Sequence, residues 1–476
     1  MLWTPETLAA AAGGRLLQAG ERPIAAAFID SRAPRRDALF VPIVAARDGH
    51  AFIPAAAQAG ASACLLGAGR PIPPGCEGLT IVEVEDTLAG LSALARAARS
   101  RITGPVVAIT GSNGKTTTRA FVEATLATGF DPVLCTRGNF NNHLGVPLTL
   151  VGEPHEPAAA VLELGMSAPG ENDHLAEIVA PDVHVITSIA LEHLEFMGTL
   201  EAIAAAEAEP IARLGHGSAL IVPSDEPCLL PHLPKPAQGV RVLRVGPAGL
   251  PGGEAPDVAI VEVEVGVRTR AVLRLRSGET LELRLATFGA HNARNAASAV
   301  AVAVHLGLDL GPLVAGLEAV DPVGDRGRLR EHGPHLLIAD CYNANPGSMV
   351  AALDSLAMLR GRRPGRLIAV LGDMLELGPT QVELHRAVGA HAAALGLDAV
   401  LGFGPCAAAI VEGARAGGIA ATHLLEHQDG PDAVERAAAW VREQLGDAPG
   451  AALFKGSRGI RLERVVARLE NQLPSP

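Results

Sequence analysis

One stretch of the chain has residue types and spacing suited to holding a nucleotide phosphate: Thr110-Gly111-Ser112-Asn113-Gly114-Lys115-Thr116-Thr117-Thr118. An apolar run, Val106–Thr110, leads into a turn with two glycines, and a helix is expected to open at Lys115. Gly111 and Gly114 lack a Cβ, so backbone N–H groups can approach phosphate oxygens, and the N-terminus of the helix favours their charge. An ammonium at Lys115 would reach the β- and γ-phosphates, and the Thr116 hydroxyl would serve Mg²⁺. The strict form of such a loop carries glycine at position 109, where Ile109 stands, so this is a shortened variant. The pattern predicts an enzyme that uses ATP with Mg²⁺.

Composition narrows what else the chain does. It has 476 residues, 48% of them hydrophobic and 19% charged, which is enough for several aliphatic cores and argues against disorder. A net charge of −12 excludes a general nucleic-acid binder, which would present a basic face. Six scattered cysteines with no CxxC pair read as reduced thiols, and the N-terminus lacks the basic and apolar regions of a secretion signal, so a cytoplasmic protein is expected. No apolar run is long enough to span a membrane. Only three of the 39 basic residues are lysines (Lys115, Lys235 and Lys455). Where arginine serves nearly everywhere, a lysine at 115 or 455 points to chemistry that needs an ammonium.

Three blocks must position these groups. Residues 1–102 alternate short strands (27–30, 39–41, 63–66, 80–84) with helices (51–59, 88–100), after a short helix with Thr4 as its cap and Pro5 at its first position. Thr103-Gly104-Pro105 breaks the chain. In the block 103–321, apolar runs at 106–110, 159–164, 183–188 and 218–222 alternate with helical segments, which predicts a parallel sheet covered on both faces. Leu273-Arg-Leu-Arg, Ser277-Gly278 and Leu281–Leu285 predict an antiparallel hairpin beside it, Gly246–Pro256 a turn-rich patch, and 292–306 a closing helix. The block 322–476 has strands at 336–339, 367–371, 399–401, 423–425 and 452–454 alternating with helices, a Rossmann-like unit. The fold class is therefore α/β in three domains: an N-terminal unit, a central phosphate-loop domain with a small antiparallel sheet, and a Rossmann-like C-terminal domain.

The loop resembles that of the Mur ligases, the ATP-dependent amide-bond ligases of peptidoglycan synthesis, and other stretches follow in the family's order. They are TRGNFNNHLGVPLTL (136–150), LELGMSAPGE (162–171), GAHNARNAASA (289–299), DCYNANPGSMVAALDSL (340–356), VLGDMLELG (370–378) and KGSRGIRLERVV (455–466). The last three are most similar to the branch that adds D-alanyl-D-alanine to UDP-MurNAc-tripeptide. The DNPR motif of the branch that adds the third peptide residue is absent. The resemblance implies these two substrates besides ATP, an acyl-phosphate route, a UDP-substrate-binding first domain, and a monomer. A folylpolyglutamate synthase is an alternative that the DCYNANP and LGDMLELG motifs oppose. A nucleotide-binding relative without ligase activity is another.

The resemblance also implies roles. Ser112, Asn113, Gly114, Lys115, Thr116 and Thr117 would hold ATP together with Gly111. Glu163 and His193 match the magnesium-binding glutamate and histidine, with Thr116 as the third metal group. Asn292 and Asn295, three apart on one helix face, match the adenine contact. Arg328 and Asp340 match nucleotide contacts from the third domain, with Arg326 so close to Arg328 that the register stays open. Ser31 and Arg32 resemble the uridine site; Asn139 and Asn142 lie in a substrate segment; Tyr342, Asn343 and Asn345 lie near the incoming dipeptide. One departure stands out. The family carries a lysine, carbamylated by CO₂, where AAAEAEPI (204–211) has Glu207. A glutamate supplies the anion without CO₂, but its carboxyl falls short of a carbamate by roughly 3 to 4 Å at about 1.3 to 1.5 Å per bond. Glu207 is thus read as a catalytic anion, with a surface position on an acidic helix as the competing expectation.

Overall fold

The computed structural model describes residues 2–152, 156–249, 254–426, 430 and 432–473. Its strands form three sheets of five, nine and six strands.

In the first sheet four parallel strands (Ala26–Phe28, Ala38–Phe40, Ala63–Gly67, Thr80–Val84) end on Arg15–Gln18, which pairs antiparallel with Thr80–Val84. Thr4 caps the helix Pro5–Ala11 with proline at its start, and Asp86 caps Thr87–Arg99 through the Ala89 N–H. The latter helix buries Leu91, Leu94, Ala95 and Ala98 in an apolar layer that continues into Val106, Ala108 and Leu162 of the next sheet. The loop at residues 102–105 is therefore a break in connectivity and not in packing.

The central sheet runs in the order Thr280–Leu285, Thr269–Leu275, Val258–Glu264, Arg241–Pro247, Ala219–Pro223, Val183–Ile186, Val106–Thr110, Ala159–Glu163, Val133–Cys135. Its middle strands are buried throughout, as a sheet sandwiched between helices requires. The expected hairpin is present, with Gly278 at φ +93 in its turn, and continues the edge of the same nine-stranded sheet. Two more strands, Arg241–Pro247 and Val258–Glu264, join it to the parallel part. The patch at 246–256 shrinks to the connection between them, of which 250–253 lie outside the described residues. From Val106–Thr110 the chain first builds one side of the sheet, Val133–Cys135 and Ala159–Glu163, and then crosses to Val183–Ile186 on the other. The carboxyl end of Val106–Thr110 is thus a topological switch point, where such sheets open a crevice.

The third sheet has the order Arg328–His332, His335–Asp340, Ala451–Lys455, Leu367–Gly372, Ala399–Phe403, Ala421–Leu425, parallel apart from its first edge strand. Asp340 and Lys455 stand side by side at adjacent strand ends. This edge faces the switch point of the central sheet.

Candidate active site

A cavity of about 1020 Å³ lies where the two sheets meet, and most of the residues singled out above line it. Its floor is the phosphate loop. Gly111 has φ +116, and a Cβ there would stand 2.2 Å from Thr187 Oγ1; Gly114 has φ +87, and its Cβ would stand 2.6 Å from Asn295 Oδ1. No other residue fits either place. The first N–H groups of the loop turn into the protein. Gly111 N–H donates to Glu207 Oε2 at 2.8 Å, Ser112 N–H to Ser188 O at 2.8 Å, and Asn113 N–H to Ser188 Oγ at 3.1 Å. Gly111 itself is off the cavity wall: its N–H is taken by Glu207 and its carbonyl by Lys115. The donors left for phosphate are those of the first turn of the helix Lys115–Leu126, which have no acceptor within the helix.

Lys115 Nζ donates to the Gly111 carbonyl. Burial works against its charge, but the carboxyl groups of Glu192, Glu207 and Glu163 prevail and hold the ammonium above its ordinary pKa. Thr116 Oγ1 donates to Glu163 Oε2 and Arg119 Nε to Glu163 Oε1, both at 3.1 Å. Burial pushes the Glu163 carboxyl up, against the pull of Arg119, Arg326 and Lys115. His193 adopts φ +50 at the start of the turn Leu194–Met197, which aims its ring at the cavity. Its Nδ1 is held at 2.5 Å by Glu376 of the third domain, leaving Nε2 as the ring atom free to bind an ion. The hydroxyl and carboxylate are hard oxygen donors that fit Mg²⁺, and the imidazole would add a nitrogen beside them. Among the described residues no three acidic, histidine or cysteine groups form a closed cage. An ion here would complete its shell with phosphate oxygens and water, as Mg²⁺ commonly does.

Asn292 and Asn295 are buried and on the wall, but turned onto the protein: Asn292 Nδ2 donates to Phe288 O at 2.7 Å and Asn295 Nδ2 to Asn292 Oδ1 at 2.9 Å. They brace Gly114 more than they offer a free amide edge. The neighbouring wall, Pro247 and Ile260–Val263, belongs to the two strands on either side of the turn-rich patch, which the sequence reading had not assigned. From the third domain, Asp340 takes a 2.7 Å ion pair from Lys455, which also donates to Asn343 O at 3.0 Å. The guanidinium of Arg326 lies 3.5 Å over the Tyr342 ring, with Arg458 at 5.9 Å. Of the two neighbouring arginines, Arg326 is the one on the cavity wall. Arg328 is off the wall, its guanidinium spent on the Gly324 and Pro322 carbonyls of its own turn. Asn345 caps the helix Pro346–Ala357 through Ser348 N–H, and its Nδ2 reaches Asn113 Oδ1 of the phosphate loop at 2.9 Å.

Asn139 and Asn142 reach the opposite rim, where Asn142 Oδ1 also caps the turn at Gly145 N–H, 2.9 Å away. Ser31 and Arg32 lie apart, on the turn after Ala26–Phe28, with Arg32 paired to Asp30 and 88% exposed. The surface position considered for Glu207 is wrong: it is 1% exposed, behind the loop. Near it lies Glu192, which sequence reasoning passed over although it adjoins His193. Glu192 is buried and lines the cavity. Burial, with Glu207 beside it, pushes its carboxyl up to about 8.

Comparison with known proteins agrees with this geometry. Residues 109–303 match the Mur ligase middle domain, and residues 326–458 the Mur ligase glutamate ligase domain. The UDP-N-acetylmuramoyl-tripeptide--D-alanyl-D-alanine ligase of Bacillus subtilis is 35% identical over 444 residues, 92% of each chain. A crystal structure of MurF from Acinetobacter baumannii superposes with a TM-score of 0.86 at 30% identity over 99% of both chains. MurF ligase from Thermotoga maritima in complex with ADP does so with 0.79 at 28% identity, covering 94% of this chain and 97% of that one.

Proposed function

This chain belongs to the Mur ligase family, and we propose that it joins D-alanyl-D-alanine to the terminal carboxylate of UDP-MurNAc-tripeptide, converting ATP to ADP and phosphate. One observation carries the assignment of both halves of the reaction to one cavity. The Asn113–Asn345 bond joins the phosphate loop to the segment expected beside the dipeptide.

The reaction needs two transfers. A carboxylate oxygen of the tripeptide bonds to the γ-phosphorus as the bond to ADP breaks, giving an acyl phosphate. The dipeptide nitrogen then bonds to the carbonyl carbon, phosphate leaves, and the amine gives up a proton. Phosphoryl transfer is mostly positioning and charge stabilisation. Lys115, now resting on the Gly111 carbonyl, has one local move to reach the bridging oxygen, and the first turn of its helix supplies the N–H donors. Thr116, Glu163 and His193 would hold Mg²⁺, which when bound supplies positive charge to the phosphates. Arg326 and Asp340 bring the third domain to the nucleotide. Tyr342, Asn343 and Asn345 form the dipeptide side, and Asn139 and Asn142 the tripeptide rim. The first domain, with Ser31 and Arg32, lies where the UDP end of an extended substrate would rest. A monomer working in the cytoplasm, where ATP and UDP-linked precursors are available, completes the reading.

The purified protein should release ADP only when tripeptide, D-alanyl-D-alanine and Mg²⁺ are all supplied. Equal turnover with a single amino acid in place of the dipeptide would reassign the chain to another branch of the family. Running both diaminopimelate- and lysine-containing tripeptides identifies the third residue.

A further inference from the structure

Glu207 stands at the carbamylated-lysine position, yet it cannot present its charge to the cavity. It is 1% exposed and off the wall, and its Oε2 accepts from Gly111 N–H at 2.8 Å and from Asn172 Nδ2 at 3.2 Å. These bonds draw it toward the back of the loop, and its side chain is already too short. Glu192 is on that wall. It sits in the loop that also aims His193, is buried, and acts with Glu207 on the same Lys115 ammonium. Of the three carboxyl groups acting on Lys115, Glu192 acts most strongly, ahead of Glu207 and Glu163.

We propose that Glu192 and Glu207 together replace the carbamylated lysine, with Glu207 as the anchor on the phosphate loop and Glu192 as the group facing the divalent cation. The proposal rests on the ligase reading above but extends it to a residue that reading does not use. The relay restores the reach that a lone glutamate lacks: one side chain fixes the position, and the second carries the oxygens into the cavity. It also supplies the anion with no dependence on CO₂. The competing role for the same pair is a purely structural brace under Gly111. The two roles differ in what they do to metal binding.

The probe is Mn²⁺, titrated by electron paramagnetic resonance into the full chain with a non-hydrolysable ATP analogue, without dipeptide. Metal affinity is then read independently of the ligase reaction. Glu192→Gln keeps size and removes charge, and should weaken Mn²⁺ on the order of 10-fold, the usual scale for groups that orient a metal site. Glu207→Gln should weaken it similarly, and the double variant should lose little more than the worse single one, because the two act as a unit. Wild-type turnover should be unchanged when bicarbonate is stripped out. Mn²⁺ affinity within about twofold of wild type in Glu192→Gln, accompanied by a lower Tm, would reduce the pair to a brace and overturn the proposal. Weakening by Glu207→Gln alone would overturn it too, leaving Glu207 as the sole replacement. If the Gln variants fold poorly, Glu192→Asp retains the charge one methylene short, and unaltered Mn²⁺ binding by it would count against the relay. Failure of dipeptide-dependent ADP release with these metal effects intact would instead fault the ligase assignment.

Discussion

Lys115 shows how much a single residue type can decide. Its ammonium is buried among three carboxyl groups and rests on a carbonyl of its own loop. A guanidinium is planar, longer, and donates in a fixed fork, so it cannot occupy a space shaped for a point charge. Lys115→Arg should therefore fold normally and lower kcat on the order of 100-fold, the scale of losing one electrostatic group in such a site. Near-normal kcat in a steady-state ADP-release assay would show that the backbone of the loop holds phosphate unaided. The retention of lysine here, and at Lys455 in its ion pair with Asp340, agrees with the inference from its scarcity. Both lysines stand on the cavity wall.

At the scale of elements, the phosphate loop depends on the strand beside it. His184 lies in Val183–Ile186, fully buried, with Nε2 at 2.9 Å from Thr110 Oγ1 and Nδ1 without a partner among the described residues. Burial pushes its pKa down to about 3. Below pH 6.5 the unfolded chain takes up a proton at this position that the folded chain refuses until about pH 3. Stability from the neutral ring is thus fully present above pH 6.5 and is lost as pH falls, by about 1.4 kcal/mol per pH unit. His184→Gln retains a polar group for Thr110 and cannot titrate. It should lower Tm at pH 7.5, with the gap to wild type narrowing toward pH 5. A gap that stays constant across that range in thermal melts would remove His184 from the acid response.

At the scale of the molecule, two of the polar bridges that hold the third domain against the central one reach the site: Asn345 to Asn113, and Glu376 to His193. Each ties a loop that would touch nucleotide or metal to a motif of the third domain, so the site is complete only when the domains are together. Asn345→Ser isolates this effect, because serine still caps the helix Pro346–Ala357 but is too short to reach Asn113. Tm should stay within about 2 °C, while KM for ATP and dipeptide rises about fivefold, the worth of one hydrogen bond. Small-angle scattering should show the variant less compact with nucleotide and tripeptide bound. Identical compaction and KM would mean that Asn345 serves the helix alone.

The phosphate loop, the hairpin, and the parallel strands of the third domain are local matters, each written in a few consecutive residues. Glycines beside a lysine, alternating Leu and Arg around Ser277-Gly278, and apolar runs between helices have only one economical conformation. They were legible in the chain with no structure. The inner strands Arg241–Pro247 and Val258–Glu264 were not, since their register is set by neighbours in the sheet and their own sequence alternates weakly. The same distinction separates the parts of the site. The residue type at Lys115 announces its chemistry within its loop, and Glu163 and His193 were read through the family resemblance, whereas only the fold shows that Arg326 and not Arg328 lines the cavity. The partnership of Glu192 with Glu207 brings together side chains 15 residues apart, on a loop and a helix that only the packed sheet places on either side of the same lysine. Local backbone preference acts over a few residues and is readable in sequence; charge and hydrogen bonding act through space, and the tertiary fold alone decided which groups they join.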